Sequence, residues 1–213
     1  MPDLLLTVLE RLGIESKQVK VSKLEDKNWN EEWERNFQPI EIGSEIYVRA
    51  DFHEPKPDCK YEIIITPKMS FGTGHHETTS MVMEHQLNID HQNKKVLDVG
   101  TGTGILAILA SKLGASHVSA FDIDDWSVEN TIENVGLNNT PNVSVRLGTI
   151  EDEPQDLYEI VLANINRNIL LQQIPTYATF MADGASLVVI LVLIGEMRLR
   201  VSDGITFSTI NYF

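Results

Sequence analysis

This sequence predicts an α/β fold, a mostly parallel sheet with helices on both faces, and three observations carry the prediction. The apolar stretch Val96 to Val99 passes through Gly100-Thr101-Gly102-Thr103-Gly104 straight into an apolar helical run, Ile105 to Leu113. About twenty residues on, a second apolar stretch, Val118 to Phe121, ends at Asp122. From Lys95 to Ile194, strand-like and helix-like segments alternate, which specifies parallel strands joined by crossover helices. The glycines let the backbone turn tightly and come close to a ligand, and the helix start offers unpaired N–H groups. A carboxylate at the end of the second strand can accept hydrogen bonds from ribose hydroxyls. The βα unit therefore predicts a nucleoside site.

The elements follow in chain order. Asp3 to Leu12 places Leu5, Leu6, Leu9 and Leu12 at helical spacing, with Gly13 as a stop. Lys17 to Leu24 alternates polar and apolar residues and predicts a strand. Trp29, Trp33 and Phe37 recur every four residues, one helical stripe suited to docking a linker on the main domain. Glu41 to Phe52 and Tyr61 to Thr66 predict strands around a loop containing Pro55 and Pro57. A glycine-bearing loop from Met69 runs into a helix through about Leu87. There follow strand 95–99, helix 104–113, strand 117–122, helix 126–136, strands 143–147 and 159–163, helix 168–180 and strand 185–194. Ala185 to Ile194 is strongly apolar but about half the roughly 20 residues a membrane span needs, and predicts a strand buried on both faces. The predicted organisation is a segment 1–27, a linker helix 28–40 and a main domain 41–213 with a divergent tail, 185–213.

Composition narrows the function classes. At 213 residues, 42% hydrophobic and 23% charged, the chain suits one substantial globular domain plus a small appendage. A net charge of −14 and a pI near 4.7 argue against a phosphate-backbone binder and favour encounter with a basic partner, or simply solubility. Cys59 is the sole cysteine, which leaves no intramolecular disulfide and no cysteine cluster for a metal, in keeping with a reducing cytoplasm. The N-terminus lacks the basic and apolar segments of a signal peptide.

The glycine spacing bears on which nucleoside binds. In a dinucleotide frame G-x-G-x-x-G/A, counting from Gly100 fails at Ile105, whereas Gly102, Gly104 and Ala107 fit, so a nicotinamide-dependent oxidoreductase stays open. The tighter Asp98-Val99-Gly100-x-Gly102-x-Gly104 spacing suits a ligand without a pyrophosphate and favours S-adenosylmethionine (SAM). At the end of the fourth strand, Asn164 can accept from an amine and donate to a carboxylate without carrying charge. Asn166 reads equally well as a helix cap, and Asp124 and Asp125 read as caps. His75 and His76 invite a metal reading, but His75-His76-Glu77-Thr78-Thr79 is not H-E-x-x-H and no matching ligand set appears elsewhere; no metal is expected.

Together, Phe71-Gly72-Thr73-Gly74-His75-His76-Glu77-Thr78-Thr79, Leu97 to Gly104, Asp122-Ile123-Asp124 and Ala163-Asn164-Ile165 resemble the ribosomal protein L11 methyltransferase family, over roughly Lys27 to Gly184. The resemblance implies a Rossmann-like, SAM-dependent methyltransferase domain acting on lysine and N-terminal amines of a basic large-subunit ribosomal protein. The charge, the single cysteine and the short apolar run add the expectation of work in the cytoplasm, without a nucleic-acid or membrane partner. By position, the cofactor contacts fall on Thr79, Gly100 and Gly102, with Asp122 at the ribose and Asn164 near the methyl group. Phe71, Gly72 and Gly74 would shape a loop closing over SAM. Asn164 is the expected catalytic residue, orienting an amine whose proton leaves to solvent. The chain departs from the family twice. Met1 to about Lys27 offers about half of the family's α+β recognition domain, and the apolar run from Ala185 replaces a polar turn, helix and hairpin. Two alternatives follow: a SAM-dependent enzyme with another substrate, or a SAM-binding remnant without turnover. An incomplete sheet would leave an apolar edge prone to association.

Overall fold

Gly43 divides the first extended stretch in two. At φ +58° it turns β1 (Ile40–Ile42) back, antiparallel, on β2 (Ile46–Arg49), where the sequence predicts one strand over 41–52. β3 (Tyr61–Ile64) then pairs parallel to β2, completing a three-stranded sheet. The computed structural model describes residues 11–12, 37–68 and 72–189. The chain divides into two units, Met1–Arg35 and Asn36–Phe213, and both sheets belong to the second. The expected elements at 3–12 and 17–24, with Trp29, Trp33, Met69 to Phe71 and the tail beyond Val189, lie outside the described residues, Arg11 and Leu12 excepted. The linker helix expected over 28–40 does not include its last four positions. Phe37 to Pro39 carries no regular structure and Ile40 opens β1. Pro39 has no N–H and biases Gln38 away from helical geometry.

The main sheet follows the predicted alternation closely. In order come α1 (Glu77–Gln86), β4 (Lys95–Val99), α2 (Ile105–Lys112), β5 (His117–Asp122), α3 (Asp125–Leu137), β6 (Val143–Leu147), β7 (Tyr158–Ala163), α4 (Arg167–Ala178) and β8 (Met181–Val189). A short 3₁₀ turn, Ile150–Asp152, lies between β6 and β7. All five strands are parallel, in the order β6-β5-β4-β7-β8. The chain winds outward from β4 to β6, then returns to the other side of β4. The reversal opens a crevice at the carboxyl ends of β4 and β7, where ligands bind in such sheets.

Period-two alternation sends side chains to two cores. Val96, Val118, Ala120, Ile160 and Leu162 join α2 on one face; Leu97, Val99, Phe121 and Val161 meet Leu170 and Tyr177 of α4 on the other. α2 buries every residue from Ile105 to Ala110, as its unbroken apolar composition requires. Each fully buried Leu or Ile contributes about 1.5–3 kcal/mol.

The free edge of β3 is closed by a helix rather than a strand. Asn138 Oδ1 accepts from Ile64 N–H (2.9 Å), Asn134 Oδ1 from Thr66 N–H (2.7 Å), and Asn130 Nδ2 donates to the Thr66 carbonyl (3.2 Å). Spaced four apart, with Asn130 and Asn134 on α3 and Asn138 at its C-cap, the three amides line one face and stand in for a neighbouring strand. At the other end, β8 starts at Met181, four residues before the predicted strand, because Tyr158 pairs with Met181 ahead of a register shift. Asp183 and Gly184 are exposed there, and Ser186 and Val189 only partly covered, so β8 is less buried than expected.

Candidate functional site

β4 ends in a turn whose three glycines all take positive φ: Gly100 +68°, Gly102 +58° and Gly104 +81°. A Cβ at Gly100 would lie 2.4 Å from Ile165 Cγ2, and one at Gly104 2.7 Å from Thr131 Cγ2, so the turn is bare on both sides by necessity. Gly100 and Thr101 N–H both donate to the Phe121 carbonyl at 3.0 Å, tying the turn to β5. Thr131 Oγ1 donates to the Gly102 carbonyl (2.8 Å), and Asn134 Nδ2 to that of Thr103 (2.8 Å).

Asp122 closes β5 beside this turn. Its Oδ2 accepts Gly102 N–H at 2.9 Å and its Oδ1 accepts Asp124 N–H at 3.2 Å. Two backbone donors hold the carboxylate rigid, each oxygen keeping a lone pair for a ligand hydroxyl. Across the crevice, Asn164 stands at the end of β7, its Nδ2 donating to Thr79 Oγ1 of α1 at 3.2 Å.

These groups line one pocket of about 500 Å³, within the range of small-molecule sites. Of the expected site residues, Gly100, Gly102, Asp122 and Asn164 line it. Thr79 does not; it is 1% exposed and reaches the site only through Asn164, while Thr78 and His76 face the cavity. Gly72 and Gly74 also stand back: the Gly72 carbonyl accepts from Thr103 Oγ1, and the Gly74 carbonyl from Ser80 Oγ (2.7 Å). Phe71 lies outside the described residues. His76 caps α1, its Nδ1 facing Thr78 Oγ1 at 2.7 Å, and the His75 ring meets Phe37 edge-on at 4.6 Å. Among the described residues no group of three or more His, Cys, Asp or Glu could hold a metal ion, and no helix is long and apolar enough to cross a membrane. Asn166 caps α4 by accepting Asn168 N–H (2.9 Å); Asp124 occupies the cap position of α3 without a side-chain bond.

Sequence reasoning missed an apolar wall made by Ile123, Trp126, Ile150 and Ile169, with Thr149 and Gln173 beside it. Part of it was signalled: Thr149 and Asp152 form a capping box, a spacing visible in the chain. Behind that turn, buried Glu153 accepts from Ser119 Oγ (2.9 Å), the Tyr158 hydroxyl and Arg146 Nη2, anchoring the loop to three strands. Asp98 stands in the glycine motif, but nothing in the chain signals its burial. It is fully buried beneath the turn and accepts Thr101 Oγ1 at 2.7 Å. Burial pushes its carboxyl up to about 7, aided by the Asp122 charge and opposed by the Thr101 bond.

Comparisons with known proteins point to one family. The family model "Ribosomal protein L11 methyltransferase (PrmA)" matches residues 4–201. A ribosomal protein L11 methyltransferase of Phocaeicola vulgatus is 50% identical over 169 residues, 78% of this chain and 60% of the relative. One from Porphyromonas gingivalis is 51% identical over 166 residues, 76% of this chain and 57% of the relative. The chain thus spans about 60% of the length of these curated relatives. Among solved structures, the ribosomal protein L11 methylase of Lactobacillus delbrueckii subsp. bulgaricus superposes with a TM-score of 0.63 at 30% identity, covering 68% of this chain and 76% of that one.

Proposed function

This chain belongs to the ribosomal protein L11 methyltransferase family, and we propose that it transfers methyl groups from SAM to lysine or N-terminal amines of that basic large-subunit protein, in the cytoplasm. The observation that carries the reading is the pairing of a bare glycine turn and a backbone-held carboxylate, Asp122, with an uncharged amide, Asn164, across one pocket. The residues present fit a nucleoside: the Asp122 carboxylate, anchored by two backbone N–H groups, keeps lone pairs for ribose hydroxyls, and the turn beside it carries no side chain at Gly100 or Gly102.

SAM supplies an electrophilic methyl on sulfur, which departs as a thioether when an amine lone pair takes the carbon. Asp122 would hold the ribose, and the turn Gly100 to Gly102 would lie along the methionine arm. Asn164, with Nδ2 engaged by Thr79, is left with Oδ1 to accept an N–H of the target amine and aim its lone pair. A lysine at pH 7 must first lose its proton, which costs about 4.6 kcal/mol at an ordinary pKa of about 10.4. The Asn164 amide cannot take that proton, so in this reading the proton leaves to solvent before attack and the rate rises with pH through the neutral range.

Incubation with labelled SAM and purified ribosomal protein L11 tests the proposal, with titration of S-adenosylhomocysteine in parallel. Label in that protein, together with homocysteine-nucleoside binding, is the expected result. Binding without transfer would sink the assigned acceptor, and absence of binding by folded protein would sink the cofactor as well.

A further inference from the structure

α4 turns Asn166, Ile169 and Gln173 toward the pocket, spaced three and four residues apart and so on one helical face. The adjoining face sends Leu170 and Tyr177 into the core. Tyr177 is fully buried, and its hydroxyl donates to Gln173 Oε1 at 2.5 Å. Burial first, then the charge of Glu151, raises this phenol well above its ordinary value, so it stays protonated and remains a donor. Turning the Gln173 amide over would leave that buried proton without an acceptor. The amide is therefore held one way round. Nε2 makes no hydrogen bond to a described residue and is the group left for a ligand.

The location of Gln173 says which part of a ligand it meets. Tyr177 and Leu170 share a core cluster with Ile150 and Phe121. Gly148 N–H, at the head of that turn, donates to the Asp122 carbonyl at 2.9 Å. A ribose held at Asp122 with its sulfur arm toward Gly100 and Asn164 would send its base toward the rest of the lining, Thr149 and Ile150, where Ile123, Ile150 and Ile169 supply apolar side chains. Those side chains can cover the faces of a purine but cannot tell one purine from another.

We infer that Gln173 reads the base of the cofactor, donating Nε2–H to the unprotonated N1 of adenine, and that Tyr177 is the positioning residue that fixes this polarity. The inference rests on the proposed SAM site and adds the element that selects the nucleobase. Hypoxanthine carries a hydrogen on N1 and would set donor against donor.

Titration calorimetry with S-adenosylhomocysteine and S-inosylhomocysteine provides the test, on wild type, Gln173→Leu, Gln173→Glu and Tyr177→Phe. The readout is the ratio of the two affinities, which a general loosening of the fold does not move. Wild type is expected to favour the adenosyl ligand by about tenfold or more, the size of one well-placed hydrogen bond with its mismatch penalty. Gln173→Leu should bring the ratio near one, Tyr177→Phe should narrow it, and Gln173→Glu, which presents an acceptor, should tilt it toward the inosyl ligand. Adenosyl binding with an unchanged ratio in both Gln173 variants would overturn the inference and leave the SAM site standing. Failure of wild type to bind either ligand would overturn both.

Discussion

Asn164 and Thr79 meet through one hydrogen bond, Nδ2 to Oγ1 at 3.2 Å, although 85 residues separate them in the chain. The bond joins the end of β7 to α1 and orients an amide that could otherwise present either end. Thr79→Val keeps the shape and removes the acceptor. The expected outcome is methyl transfer slowed by about fivefold to tenfold, the worth of roughly 1 kcal/mol, with S-adenosylhomocysteine affinity nearly unchanged. Thr79→Ser should keep most of the rate. Equal rates for wild type and Thr79→Val would show that Asn164 needs no such support.

How far the sequence announces this arrangement depends on the distance over which each signal acts. The glycine turn, Asp122 and the alternation from β4 to β8 are local patterns, and the structure has them where the residues predict. Asn166 as a cap was equally a matter of neighbours. The asparagine ladder of α3 was not legible. Asn130, Asn134 and Asn138 resemble solvent-facing positions until β3 is seen lying against them. Thr79 falls between these cases, because the family resemblance marks it for the site yet only the fold shows it bonded to Asn164. The pocket wall of Ile123, Ile150 and Ile169 comes from three separate elements, and no period in the chain links them.

Two glycines should respond to alanine with opposite signs. Gly100→Ala places a Cβ 2.4 Å from Ile165 Cγ2 in a left-handed backbone, which itself costs about 1–2 kcal/mol. Ile165 follows Asn164, so its displacement disturbs the site, and loss of S-adenosylhomocysteine binding should accompany the loss of stability. Gly136 lies within α3 with nothing within 4 Å of an added Cβ. Gly136→Ala should stabilise the protein by about 0.5–1 kcal/mol. Thermal melts of both variants check the pair, and a destabilised Gly136→Ala would contradict the open space seen there.

Asn134→Ala probes the ladder at its middle member. The residue is 0% exposed and bonds both Thr66 N–H and the Thr103 carbonyl, so truncation strands two backbone groups at about 1–3 kcal/mol each. The damage should spread to the glycine turn, because the Thr103 carbonyl belongs to it. Denaturant unfolding is expected to show a markedly lower midpoint than for Thr66→Ala, which leaves both of those backbone bonds in place. Equal midpoints would mean that the ladder contributes little.

Asp98 makes stability depend on pH with a sign opposite to that of a paired carboxylate. Burial raises its folded value to about 7, while the unfolded chain releases the proton near the ordinary carboxyl value of 3.8. Between these limits the folded state holds a proton that the unfolded state has given up, so stability falls as pH rises. The contribution is intact below about pH 4 and gone by about pH 7, and the full span is worth about 4 kcal/mol, roughly three units at 1.36 each. Asp98→Asn keeps an acceptor for Thr101 Oγ1 but cannot ionise. Its unpaired amide N–H lowers stability by an amount that does not vary with pH, so the slope, rather than the height, is the quantity to compare. Urea unfolding at several values from about pH 5 to about pH 8 should show wild type losing ground to Asp98→Asn as pH rises. Parallel curves for the two proteins would show that Asp98 titrates at its ordinary value and is less enclosed than the fold places it.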